Sequence, residues 1–262
     1  MKTMFKHTDL PLDQLEQLGF YHQGQLLLES PDIAALLAGR RTNLLPIHEL
    51  QGKGFLIERL DAKLSLSRNS LGKPELQIHP VYRLPRSHPL LSDAEMDSLI
   101  EGKKAFICRI IEQEEGRHGM YNIEFDEQTR DFVGYEVAQV QAPDLINGML
   151  LSEEQQAAFK RGEELIMRDG TRVMHRASEA KGIISDRKAL ILSVLLDGGI
   201  SYLLLTGLRS ILKDVRQENH MTPSFQKTLA DMQGSRDVSS PKVNPDAQGQ
   251  EPGKFKAHGL SR

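Results

Sequence analysis

One cysteine and no tryptophan occur in the 262 residues, and aromatic side chains make up only 5% of them. The lone Cys108 cannot close an internal disulfide, and no thiolate cluster is available for a structural zinc or an iron–sulfur centre. A disulfide-stapled secreted scaffold is therefore excluded. A basic excess is missing too: 33 Lys and Arg face 36 Asp and Glu, for a formal net charge of −3. Because nucleic-acid affinity comes largely from phosphate neutralisation, binding of DNA or RNA would need a local patch. Residues 1–10 carry Lys2 and Lys6 with no apolar run behind them, so the expectation is no signal peptide and a cytoplasmic location. Against these absences stand 39% hydrophobic and 26% charged residues, enough for one to three small domains with polar surfaces. Charge is unevenly spread. Residues 91–150 hold 5 basic and 13 acidic side chains, whereas residues 1–90 hold 11 and 9.

Local signals divide the chain at residues 1–87, 88–148, 149–215 and 216–262. In the first segment Leu12, Leu15 and Leu18 form one helical stripe ended by Gly19, and Ser30-Pro31 opens a second helix that stops at Gly39. Both helices are too short to stand alone. Their expected support is a β-hairpin: Leu56, Leu60, Ala62, Leu64 and Leu66 alternate with Ile57, Arg59, Asp61, Lys63 and Ser65, and a second alternation runs through Leu76, Ile78, Tyr82 and Leu84. Pro80 and Pro85 place that second strand at an edge or end it early.

An internal repeat follows. Residues 91–102 align without gaps on residues 151–162, sharing Leu-Ser at the start and Gly102 or Gly162 at the end. Ser92 with Glu95 and Ser152 with Gln155 have the spacing of capping boxes, and each glycine suits a left-handed helix stop. Each helix leads into strands: 105–111, 121–125 and 132–137 in the first copy, 164–168 and 171–175 about Asp169-Gly170 in the second. The second copy ends in an apolar run, 189–208, with 8 Leu, 2 Ile and 1 Val. Two readings stay open for it: a pair of soluble apolar helices turning at Asp197-Gly198-Gly199, or a segment that inserts into the inner membrane. Beyond Val215 a short helix at Ser224–Met232 is expected, and the polar stretch from Gly234 to Arg262 reads as a flexible tail. The fold class is thus α+β, with N-terminal helices on a β-hairpin, two related helix-plus-strand modules, an apolar helical end and a disordered C-terminal tail.

No nucleotide-binding glycine loop, zinc-protease helix or nucleophile elbow is present, and no two histidines share helical i, i+4 spacing. No catalytic residue, metal site or cofactor is expected. Cys108 lies in an apolar run and reads as a buried structural thiol, and Glu112, Glu114 and Glu115 read as a solvated loop. One polar constellation remains. The outward face of the first hairpin would show Arg59, Lys63 and Arg83, with Arg40, Arg41 and Lys73 nearby, a face able to grip an acidic partner or phosphates. The competing reading is a solvated sheet face balanced by Asp61 and Glu75.

The residues Leu10-Pro11, Leu36-Leu37-Ala38-Gly39-Arg40-Arg41-Thr42, Ala62-Lys63-Leu64-Ser65-Leu66 and Leu76-Gln77-Ile78-His79-Pro80 resemble domain of unknown function 4099. The Leu-Ser to glycine pattern of 91–102 and 151–162 is similar to domain of unknown function 3945. The resemblance implies a protein from conjugative or mobilisable elements of gut Bacteroidetes; it carries no reaction and no catalytic residues. The expectation is a non-enzymatic accessory or interaction protein whose partner is a protein and, less favoured, nucleic acid. The alternative is a membrane-associated component anchored through 189–208. Oligomeric state is left open.

Overall fold

The computed structural model describes residues 4–52, 54–112, 118–196, 199–211, 217–218 and 220–239. The chain opens with a short 3-10 turn at His7–Asp9, then helix α1 (Leu12–Gln17), a small hairpin of β1 (Tyr21–His22) and β2 (Gln25–Leu26), and helix α2 (Ser30–Leu37). Helix α2 starts one residue earlier than its sequence signal: Glu29 is the cap and Ser30 the first helical residue. The helices pack on an antiparallel sheet of β3 (Leu45–Gly52), β4 (Phe55–Arg68) and β5 (Pro74–Pro80), in that order. The expected hairpin is β4–β5, with Leu64 opposite Ile78 and Leu66 opposite Leu76. Strand β3 was not foreseen. It bonds to the other edge of β4, and Glu49 within it has a left-handed backbone (φ 53) that interrupts the alternation. Leu15, Leu36, Ile47, Leu64 and Phe5 close the core of this unit, each at most 1% exposed. Burying these side chains supplies what helices of six and eight residues lack on their own.

Helix α3 (Asp93–Ile100) precedes an antiparallel meander of β6 (Ile107–Glu112), β7 (His118–Asp126) and β8 (Asp131–Glu136). A two-residue hairpin, β9 (Leu145–Ile146) and β10 (Met149–Leu150), leads to helix α4 (Glu153–Lys160), which precedes a second meander, β11 (Leu165–Ile166), β12 (Arg172–His175) and β13 (Ile183–Ser185). The two helices start alike. At α4, Gln155 N–H donates to Ser152 Oγ (3.2 Å) and Ser152 N–H donates to Gln155 Oε1 (3.0 Å). At α3 the Glu95 carboxylate accepts from both the N–H and the hydroxyl of Ser92, each at 3.0 Å. Both end on a left-handed glycine, Gly102 at φ 72 and Gly162 at φ 74. Cys108, expected to be buried, is exposed: β6 is an edge strand, and its inward residue is Ile107. Glu114 and Glu115 of the expected acidic loop lie outside the described residues.

The apolar run departs most from the sequence reading. It forms two strands, β14 (Ala189–Leu196) and β15 (Gly199–Thr206), and not helices. They pair in register from Ala189–Thr206 to Leu196–Gly199 and join β9 in the sheet order β10-β9-β14-β15. Two residues, Asp197 and Gly198, separate them and lie outside the described residues. The choice follows from packing. As strands, Leu190, Ile191 and Leu192 are buried in succession on both faces of the sheet, which leaves no polar alternation for sequence periodicity to detect. No helix among the described residues is long and apolar enough to cross a membrane. Helix α5 (Pro223–Ser239) extends past the expected Met232 and is docked through Phe225 and Met232, so residues 234–239 of the expected tail are helical. Residues 240–262 lie outside the described residues.

Candidate functional site

The six basic residues that the sequence gathers on one outward face fall into two groups. On β4, Ala62, Leu64 and Leu66 point at the helices, so Lys63 must point to the other side of the sheet, as expected. That side is not solvent at this position. The β7–β8 turn and the segment after β12 cover it, leaving Lys63 1% exposed and Arg41 4% exposed. Lys63 Nζ donates to Asp126 Oδ1 (3.0 Å) and to the Ser178 carbonyl (2.8 Å). Arg41 spans the turn: Nη1 donates to Asp126 Oδ2 (3.2 Å) and Thr129 Oγ1 (2.9 Å), and Nη2 to Asp131 Oδ2 (2.9 Å) and the Phe132 carbonyl (3.1 Å). Next to it, Arg40 Nη2 donates to the Ala180 carbonyl (3.1 Å). Gly182 permits this approach: a β-carbon there would stand 2.8 Å from Arg40 Nε. Arg40, Arg41 and Lys63 are therefore internal ties between the N-terminal unit and the two meanders, a correction to the open basic face.

The remaining three stay at the surface. Arg59, 63% exposed, pairs with Asp61 at 3.0 Å, and Lys73 and Arg83 are exposed. They do not form one patch. Arg83 lies three residues past the end of β5, next to Tyr82, whose N–H donates to the Thr129 carbonyl (2.9 Å) of the β7–β8 turn, whereas Lys73 sits at the β4–β5 turn beside the Arg68–Pro74 pair, nine residues along the strand from Arg59 and so about 30 Å away.

Electrostatics follows from burial. The Asp126 carboxyl would be raised by desolvation, but Lys63 and Arg41 outweigh this and hold it below the usual carboxylate range. Two residues along β7, Glu124 accepts the Ser178 N–H at 2.6 Å, with Arg176 Nη1 3.6 Å from its other oxygen. There burial prevails and raises the carboxyl. Burial, followed by the Arg40 charge, lowers His175 to about 3; its ring packs edge-on against Tyr135 at 5.2 Å between centroids. Burial also lowers Arg40 to about 10 and, with the Arg41 charge, His79 to about 4. The end of α4 closes the same region: Asn122 Nδ2 donates to the Arg161 carbonyl (2.6 Å), and a β-carbon on Gly162 would stand 2.8 Å from Tyr135 Oη.

Asp126, Thr129, Asp131, Glu124, Ser178 and His175 were missed in the sequence. The one available signal was charge: residues 91–150 carry the acidic excess that the N-terminal segment lacks. The arrangement balances buried charge and joins three parts of the chain. No group of three or more His, Cys, Asp or Glu side chains able to hold a metal ion occurs among the described residues. A groove of about 570 Å³ lies away from the junction, where Leu18, Leu50 and Leu76 meet Glu49 and Glu75.

Residues 5–90 match the model of a family described as protein of unknown function (DUF4099). The matched segment thus contains Arg41 and Lys63, while their acidic partners lie outside it. No curated protein and no solved structure matches the chain.

Proposed function

We propose that this chain is a non-enzymatic accessory protein of a conjugative or mobilisable element that acts as a rigid platform for a protein partner. The observation that carries the proposal is the Lys63–Asp126–Arg41–Asp131 junction, which commits three buried charges and the partly buried Asp131 to holding the N-terminal unit on the two meanders. Buried ion pairs of this kind fix relative placement more than they add stability. The matching starts and stops of α3 and α4 support the further reading that their modules are copies of one unit kept for shape. The partner surface in this proposal includes Arg59 on β4 and Arg83 in the segment after β5, both exposed. An acidic protein surface suits it better than nucleic acid, because Arg59 already shares its charge with Asp61. The test is co-purification of the tagged full chain from its host, with and without nuclease, beside the variant R59E/R83E. A protein captured by the parent in both conditions and lost with the variant is expected. Equal capture by both would overturn this surface, and capture abolished by nuclease would reassign the partner to nucleic acid.

A second reading, association of the chain with the inner membrane through 189–208, is favoured by one observation: Leu195, Leu196, Ile200, Leu203 and Leu204 are 37–56% exposed on the β14–β15 hairpin.

A further inference from the structure

Strand β15 ends the sheet β10-β9-β14-β15, and its free edge has a definite hydrogen-bonding phase. On β14 the backbone of Ile191, Ser193 and Leu195 faces the β9 side: Asn147 N–H donates to the Ile191 carbonyl (2.8 Å), Asp144 N–H to the Ser193 carbonyl (3.1 Å), and Leu195 N–H to Asp144 Oδ2 (2.7 Å). The intervening residues Leu190, Leu192 and Val194 must therefore bond to Leu205, Leu203 and Ser201 of β15. It follows that Ile200, Tyr202, Leu204 and Thr206 turn their N–H and C=O groups outward. Lys181 Nζ donates to the Thr206 carbonyl, in agreement with that phase. Among the described residues, three consecutive outward positions, Ile200, Tyr202 and Leu204, are left open.

Edges of this kind are normally blunted by lysine, proline or a bulge. From Gly199 to Thr206 there is none of these and no charge at all. The side chains of Ile200 and Leu204 lie on one face with Leu195, and they are 44, 37 and 51% exposed.

We infer that β15 pairs antiparallel with β15 of a second copy of this chain, about a two-fold axis through Tyr202. In that register Tyr202 faces the partner's Tyr202, and Ile200 faces the partner's Leu204, each a narrow pair that exchanges both backbone bonds with Cα atoms about 5.5 Å apart. Every outward group left open is then satisfied, and aromatic and branched side chains meet across the axis. A charge at position 202 could not do this, since the axis sets that residue against its own copy. The geometry also limits assembly to two copies. The opposite edge, β10, offers only Met149 and Leu150, so head-to-tail pairing with β15 would match two residues where the symmetric pairing matches the whole strand.

The test is sedimentation of the full chain from about 1 to about 100 µM, the range in which small interfaces assemble. The parent is expected to double in mass across it. Leu204→Pro removes an outward N–H that no bond among the described residues uses, so it should stay folded by circular dichroism and remain monomeric. Tyr202→Lys and Tyr202→Glu should each be monomeric alone, and an equimolar mixture should recover the doubled mass, because only a two-fold at this residue brings the two charges together. A parent that is monomeric throughout, or a dimer unaffected by all three substitutions, overturns the inference. So does a monomeric parent that floats with anionic phospholipid vesicles, an outcome that favours the membrane reading of the same hairpin.

Discussion

Asp126 is the most exacting place to perturb the molecule. It is fully buried between Lys63, 1% exposed, and Arg41, 4% exposed, and gives one carboxylate oxygen to each. In Asp126→Ala, Lys63 keeps only the Ser178 carbonyl, whereas Arg41 retains Asp131, Thr129 and the Phe132 carbonyl. An ammonium thus stays buried without a counter-charge, a change that costs about 3–5 kcal/mol. At roughly 2–4 °C per kcal/mol for a chain near this size, the midpoint should fall by about 6–20 °C. Urea denaturation of parent, Asp126→Ala, Lys63→Met and the double variant Lys63→Met/Asp126→Ala completes a cycle. The double variant should be less destabilised than Asp126→Ala, since it removes the stranded cation together with its partner. A loss below about 1 kcal/mol for Asp126→Ala, the size of a surface pair, would refute the reasoning. So would additive single losses, because contacting groups are expected to couple by about 0.5–3 kcal/mol.

Two further outcomes follow from the same region. His175 is lowered to about 3 by burial, so its folded pKa lies below its unfolded value near 6.5. The unfolded chain then binds more protons between these limits, and stability falls on acidification from about pH 6.5 toward 3, by at most about 1.4 kcal/mol per pH unit from this group. Urea midpoints measured against pH should show a shallower acid slope in His175→Leu; an unchanged slope would sink the assignment. Gly162→Ala should cost more than Gly170→Ala in thermal melts. Both residues are left-handed, at φ 74 and 81, but only the first would place a methyl group 2.8 Å from Tyr135 Oη, whereas nothing lies within 4 Å of the second. Equal losses would show that the α4 end does not press on the middle sheet.

The legible parts of the fold are those decided within a few residues. Ser92 and Ser152, with Glu95 and Gln155, announced two helix starts through a bond spanning one turn, and Gly102 and Gly162 announced their ends. Strand β4 was legible because one of its faces is apolar and the other polar. The leucines of β14 and β15 were not: leucine favours helices in isolation, β14 is buried on both faces from Leu190 to Ser193, and β15 leaves apolar residues exposed on both of its faces, so neither has an alternation to read. Strand β3 was hidden by Pro46 and by the left-handed Glu49, which break its pattern. The parity of Lys63 was read correctly but its surroundings were not, because the acids that cover it lie 63 and more residues further along the chain. Only the net negative charge of 91–150 hinted that such acids would be needed.

The buried junction sets a rule for recombination. The segment 5–90 exports two cations whose neutralisation depends on aspartates encoded downstream. It is therefore not a freely portable cassette: joined to a different successor, it would require either two carboxylates presented at the same turn or loss of both Arg41 and Lys63. Sequence neighbours on either side of residue 90 should accordingly change together, as two halves of one lock.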